Sequence, residues 1–239
     1  MESGDNDAAI AAFTRAIEAA PKDSKPLVLR AFVFMKVRNV RSALADLNRA
    51  IELNPEDGDA YEQRAIILAG GGAATPAIED FTKAIKFKPL HMKLFINRGL
   101  CYERLKLFAE AEADYDEAHR LVPKSGLPYE YRGGIFFEQG DLKAALAQFD
   151  EAVRLSPELA EIYFNRGTVY EKLHHSEKAL ADYDKTIRLD SQFANAYKRR
   201  AAIYSDQGRE DEAKRDLAKA RELEQAGMVG HEANGAGKP

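Results

Sequence analysis

Pro21, Pro55, Pro89, Pro123 and Pro157 follow one another at intervals of 34 residues. A strict period of this length admits few folds. Each period must be one supersecondary unit that cannot bury its apolar face alone, so that stacked copies build a continuous core. Units begun at 24, 58, 92, 126, 160 and 194 run to residue 227 with no insertion or deletion. Within a unit, the fourth position is large and apolar (Leu27, Tyr61, Phe95, Tyr129, Tyr163, Tyr197) and the eighth is small (Ala31, Ala65, Gly99, Gly133, Gly167, Ala201). The eleventh is bulky (Phe34, Leu68, Tyr102, Phe136, Tyr170, Tyr204) and the twentieth is always alanine. The twenty-fourth is large again, from Leu47 to Leu217, and the twenty-seventh is alanine in all units but one, which has Thr186.

Positions 4, 8 and 11 fall on one face of a helix, and positions 20, 24 and 27 on one face of another. Small residues at 8, 20 and 27 let the two backbones approach, and the bulky residues fill the space beside them. Turn signals such as Gly140-Asp141 and Gly208-Arg209 lie between the two faces, and the proline ends the second helix. Each unit therefore reads as a helix hairpin. In the second unit, Gly70-Gly71-Gly72 marks a soft turn, and Thr75-Pro76 is expected to restart the helix as cap and first residue. The third unit carries Glu112 and His119 where other units have apolar residues facing the next hairpin, which predicts a softer junction near residues 112–134.

Two polar columns accompany the apolar ones. The seventh position is arginine in every unit (Arg30, Arg64, Arg98, Arg132, Arg166, Arg200), and the twenty-third reads Asp46, Asp80, Asp114, Gln148, Asp182, Asp216. Matching within a unit pairs five arginines of six with an aspartate. Matching each to the preceding unit pairs four, because Ala12 and Gln148 drop out. The stacked carboxylates would neutralise the cations, so the columns read as an ion-pair ladder that fixes hairpin register rather than as a basic strip for an acidic ligand.

The pattern of an aromatic, a small residue, a bulky residue, alanine, a large apolar residue and proline resembles the tetratricopeptide repeat. The resemblance covers 24–57, 58–91, 92–125, 126–159, 160–193 and 194–227. It departs from the signature in having no tryptophan and in having arginine for leucine at the seventh position. It implies an all-α chain, a right-handed α-solenoid of stacked antiparallel hairpins. Residues 1–23 match the second half of a unit, with Ala9, Phe13, Ala16 and Pro21 at positions 20, 24, 27 and 32. Phe13 then lacks a covering helix from its own unit. A fragment of a longer array is the expectation, and self-association through the Phe13 face is the alternative. In the last unit Lys214 and Arg221 replace apolar residues, as a capping repeat requires, and 228–239 is expected to be a disordered tail.

The chemistry of the chain narrows its function. No apolar run approaches the ~20 residues needed to span a bilayer, and the acidic start MESGDNDAAI is no secretory signal, which makes the cytoplasm the default. A net charge of −4 argues against a nucleic-acid partner, and no membrane partner is expected. One cysteine and five scattered histidines supply no metal spacing; no cofactor and no catalytic constellation is expected, so the chain reads as a non-enzyme.

The resemblance implies that positions 2, 5, 6, 9, 12 and 13 of the first helices face a ligand. The N-terminal half of that surface is apolar (Val28, Leu29, Phe32, Met35, Ile66, Ile96, Leu100), while Asn97, Asn165, Thr168, Lys172, Asn195, Lys198 and Arg199 give a polar half. Asn97 and Asn165 sit at the sixth position, where the array of the O-linked N-acetylglucosamine transferase carries asparagines that grip peptide backbone. The carboxylate clamp of chaperone-binding members is not matched, because only Asn165 and Arg199 agree and Glu130 stands where lysine is needed. The expected function is a protein-interaction scaffold holding an extended peptide or a helix in its groove. The alternative is a regulatory or substrate-recruiting segment of a larger enzyme, such as a glycosyltransferase. The basic residues Lys172, Lys198 and Arg199, with Asn195, predict a preference for an acidic or C-terminal segment.

Overall fold

The computed structural model describes the backbone of residues 2–233 and the side chains of 5–226. Among the described residues there are thirteen helices and no strand. They fall into two compact units, Met1–Pro123 and Lys124–Pro239. The first holds α1 (Glu2–Ala19), α2 (Lys25–Lys36), α3 (Val40–Leu53), α4 (Gly58–Gly70), α5 (Ala74–Phe87), α6 (Met92–Arg104) and α7 (Phe108–Leu121). The second holds α8 (Leu127–Gln139), α9 (Leu142–Leu155), α10 (Ala160–Lys172), α11 (Ser176–Leu189), α12 (Ala194–Asp206) and α13 (Glu210–Ala233). Helices pair as hairpins α2–α3, α4–α5, α6–α7, α8–α9, α10–α11 and α12–α13, and α1 packs on α2. The helix of α13 runs to Ala233, into the stretch expected as a tail; residues 234–239 lie outside the described residues.

Local chemistry sets the boundaries. Asn39 Oδ1 accepts from Ser42 N, Asp57 Oδ1 from Asp59 N and Ala60 N, and Asp141 Oδ1 from Ala144 N. These side chains take donors that a helix start leaves unpaired. Pro26 and Pro128 occupy the first turns of α2 and α8, where a missing N–H costs nothing. Against expectation, α5 starts at Ala74 behind an uncapped Ala73, so Thr75 lies inside the helix rather than capping it. Each turn closes on the fifteenth position of its unit, in the left-handed region: Arg38, Gly72, Lys106, Gly140, His174 and Gly208.

The columns of small residues form the seam of each hairpin. Ala31, Ala43 and Ala50 are fully buried, as are Ala65, Ala77 and Ala84. Where the eighth position is Gly99, a Cβ would lie 2.5 Å from the ring of Tyr115; at Gly133 and Gly167 it would lie 2.9 Å from Phe149 and Tyr183. The missing methyl is filled by a neighbour's ring, so glycine here answers a close approach. Lys214 and Arg221 on α13 are exposed.

The arginine column is a ladder within hairpins. Arg30, Arg64, Arg98, Arg166 and Arg200 each donate from Nε and Nη2 to both carboxylate oxygens of Asp46, Asp80, Asp114, Asp182 and Asp216, at 2.7–2.9 Å. The planar fork suits two parallel bonds, which lysine would not make. Nη1 then reaches the preceding hairpin or half-unit, to Thr14, Asn48, Thr82, Asp150 and Asp184 at the twenty-fifth position. One guanidinium thus ties its own hairpin together and ties it to its predecessor. Its flat faces lie against the flanking rings, as Arg166 does over Tyr163 and Tyr170 at 5.6 and 5.9 Å. Arginine in place of leucine here serves register.

Candidate functional site

The first helices meet one another directly, α2 with α4 and α4 with α6 in the first unit, and α8 with α10 in the second. Helices that crowd across successive hairpins line the inner side of a stack, so their outward positions form its concave surface.

In the first unit this face carries large apolar side chains in water. Leu29 and Phe32 on α2 are 51% and 49% exposed, and Ile66 on α4 is 41% exposed. Phe32 carries the Lys36 ammonium 5.0 Å over its ring. Beside Ile66 is a depression of about 210 Å³, lined by Ala69, Asn97, Leu100 and Cys101, with Phe81 and Arg104 completing it. Arg104 Nη1 donates to the Ala69 carbonyl and holds that rim. A second depression, of about 250 Å³, is lined by Val28, Leu29, Lys25, Asp57 and Asp59. Three predicted positions play another part. Val28 and Met35 pack against the core of the first hairpins, and Ile96 is 5% exposed, so Ile96 fills the interior and offers nothing to a ligand. Asn97, grouped by sequence with the polar half, lies in this depression between its apolar residues and Arg104, where its amide can donate and accept.

In the second unit the inner face is polar and partnered from within. Asn165 Nδ2 donates to Glu130 Oε1 at 3.1 Å. Burial, and then the nearby Glu161 carboxylate, push Glu130 up to about 7 against the opposing effect of that hydrogen bond. Arg199 Nη1 donates to Glu171 Oε1 at 3.1 Å, and Tyr183 Oη donates to Glu171 Oε2 at 2.7 Å. Thr168 Oγ1 donates to the Phe164 carbonyl at 3.0 Å and accepts from Tyr183 Oη at 3.5 Å. Lys198 pairs with Glu224 of α13. Lys172 and Asn195 are exposed. The positive charge of Lys198 and Arg199 is thus matched by Glu224 and Glu171. Glu130, Glu161 and Glu171 stand at positions 5, 2 and 12 of their units, all positions implied to face the groove, so acidic groups on this face are legible in the sequence although their pairing is not.

Stacked hairpins with an inner face of partly exposed side chains define a helical-repeat solenoid. The tetratricopeptide repeat matches residues 1–23, 28–91, 77–126 and 160–193, and a TPR repeat matches 133–173. The chain belongs to the tetratricopeptide repeat family. No curated protein matches it. Among solved structures it is similar to a tetratricopeptide repeat protein from Parabacteroides merdae (TM-score 0.77, 21% identity, 93% of this chain and 88% of that one). It is similar to a chain of the APC/C hetero-tetramer Cut9–Hcn1 (TM-score 0.72, 18% identity), covering 93% of itself but only 44% of that chain. YrrB, described as a TPR protein with an unusual peptide-binding site, is 26% identical at TM-score 0.59, over 77% of this chain and 95% of that one. Proteins of this fold are typically protein–protein interaction scaffolds and are generally not catalysts. No helix among the described residues is long and apolar enough to cross a membrane.

Proposed function

We propose that this chain is a non-enzymatic scaffold that binds an extended peptide or a helix of a protein partner on the inner face of its first unit. The observation that carries the reading is the set of three large apolar side chains, Leu29, Phe32 and Ile66, left in water on the neighbouring helices α2 and α4. Clustered exposed apolar surface on a soluble chain marks a place where something binds. The depression at Ile66 and Leu100 is of a size for one apolar side chain, and Asn97 supplies a backbone-directed amide beside it. The likeness to YrrB, a peptide-binding repeat protein, supports the same reading. The second unit contributes less apolar contact, and its inner cations Lys198 and Arg199 hold internal carboxylates, so the acidic preference rests on Lys172. The test is capture of partners by the whole chain and by Phe32→Asp/Ile66→Asp. Both sites are exposed, so the variant folds; it is expected to lose the partners that the parent chain retains. Equal capture by the two would refute the proposal.

A further inference from the structure

One hairpin lacks the fork that closes the others. In the first, second, third, fifth and sixth hairpins an arginine at the seventh position holds both oxygens of an aspartate at the twenty-third. In the fourth, the arginine is Arg132 on α8 and the twenty-third position on α9 is Gln148. A glutamine has a single acceptor oxygen, so no two-oxygen fork can form. That oxygen, Gln148 Oε1, is buried without a hydrogen bond. An acceptor buried in this way costs more than one left in water. Arg132 has contacts of its own, so the missing element is the carboxylate and not a partner for the arginine.

Two more features weaken α8. Among the six units it alone has glycine at both the eighth and the ninth position, Gly133 and Gly134. Gly133 answers the Phe149 ring, but a Cβ at Gly134 would meet nothing within 4 Å. No packing at Gly134 offsets the freedom that a glycine leaves to the unfolded chain. Glu130, on the same helix, is a largely buried carboxylate beside Glu161, with the Asn165 amide as its hydrogen-bond partner. Undocking α8 returns that carboxylate to water. What holds α8 is apolar packing, with Ile135 fully buried, and the bond from Gly126 N to Ser156 Oγ at 2.9 Å. The helices beside it are tied more firmly. Arg166 Nη1 on α10 donates to Asp150 Oδ1 on α9 at 2.8 Å, and the same guanidinium forks onto Asp182 of α11. α9, α10 and α11 are thus joined through one side chain, in whose hydrogen bonds α8 has no part.

We propose that α8 is a latch, which lifts from α9 and α10 and redocks while α9, α10 and α11 stay folded. Lifting uncovers the Phe149 ring, 2% exposed when α8 is docked, and releases the Asn165 amide from Glu130. Asn165 is one of the residues that the repeat pattern assigns to the inner face, so the docked latch keeps that amide from a ligand. The latch uses no residue of α2, α4 or α6 and stands whether or not the first unit binds a peptide.

Hydrogen–deuterium exchange of the whole chain, read by mass spectrometry and corrected for intrinsic rates, tests it. The comparison helices are α4 and α10, first helices of internal hairpins that have the fork. Amides of α8 are expected to be about tenfold or more less protected than those of α4 and α10. Their exchange should change little in low urea, because a local opening exposes little surface, while that of α10 should quicken. Two variants act on the latch alone. Gln148→Asp supplies the missing carboxylate, and Arg166 and Arg200 each hold two carboxylates, so Arg132 can take a new one beside its existing contacts. Gly134→Ala fills open space on α8. Each should slow exchange in α8 by about threefold or more and leave α10 unchanged. The proposal is overturned if α8 is as protected as α4 and α10, or if its exchange quickens with urea as steeply as that of α10. It is also overturned if Gln148→Asp fails to slow α8, or if either variant slows α10 equally.

Discussion

Removing one carboxylate from the arginine ladder tests whether those forks hold the repeats in register. Asp80 is 3% exposed and accepts from Arg64 Nε and Nη2 at 2.7 and 2.8 Å, while Arg64 Nη1 extends to Asn48 of the preceding hairpin at 2.8 Å. Asp80→Ala therefore leaves a guanidinium without its two-oxygen partner and frees it to leave Asn48. Breaking one side of a buried pair costs about 3–5 kcal/mol. The Arg64 side chain is 22% exposed, so water repays part of the loss, and the expected cost is about 2–3 kcal/mol. The fourth hairpin supplies an internal control, because Gln148 stands at the aspartate position and its Oε1 is buried without a hydrogen bond. Gln148→Ala should cost about 1 kcal/mol or less, since no fork is lost. The assay is equilibrium urea unfolding fitted with a nearest-neighbour repeat scheme, because stacked repeats need not unfold in one step. If Asp80→Ala costs no more than Gln148→Ala, the forks do not fix register, and the reading of the arginine column fails.

Three other perturbations separate causes that the fold combines. Gly133 and Gly134 are adjacent in α8, yet a Cβ at Gly133 would lie 2.9 Å from Phe149 and one at Gly134 would meet nothing within 4 Å. Gly133→Ala should destabilise by about 1–3 kcal/mol and Gly134→Ala should stabilise by about 0.5–1 kcal/mol; thermal unfolding showing the same sign for both would be inconsistent with this packing. His174→Gly should raise stability by about 0.5–1 kcal/mol by releasing a left-handed turn, whereas His174→Ala should not, and a gain for both would remove the backbone argument. Glu130 has a folded-state value near 7 against an ordinary 4.5, so the folded state binds its proton more tightly than the unfolded chain does. Its stability contribution is therefore lost as pH rises from about 4.5 through 7, and Glu130→Gln should stabilise by on the order of 2 kcal/mol above pH 7 and by almost nothing below about 4.5. A gain that does not change between pH 5 and pH 8 would contradict the assignment.

The period, the hairpin and the core were legible in the sequence because each rests on residue size repeated in register. Ala31, Ala43 and Ala50 fall where spacing puts them, in the closest seam. The Arg–Asp fork was legible as a count of five matches in six, and the structure places it within hairpins. Its second reach was not, because Thr14, Asn48, Thr82, Asp150 and Asp184 share only the ability to accept a hydrogen bond. Turn glycines announced three turns, but Arg38, Lys106 and His174 adopt the same backbone without the usual residue. Leu29, Phe32 and Ile66 are exposed where the sequence placed groove residues, whereas Ile96, placed with them by spacing, is buried. The pairing of Arg199 with Glu171 and of Lys198 with Glu224 depends on how long side chains cross between helices, which one-dimensional spacing does not specify.

The central claim is that a partner's polypeptide lies on the inner face of α2 and α4. The most direct measurement replaces Phe32 with a photo-crosslinking benzoylphenylalanine, with a second chain carrying the crosslinker at exposed Lys83 on the outer helix α5, followed by mass spectrometry of the adducts. The account predicts adducts to one partner segment from position 32 and none to that segment from position 83. The same adducts from position 83, or adducts from position 83 alone, would contradict it.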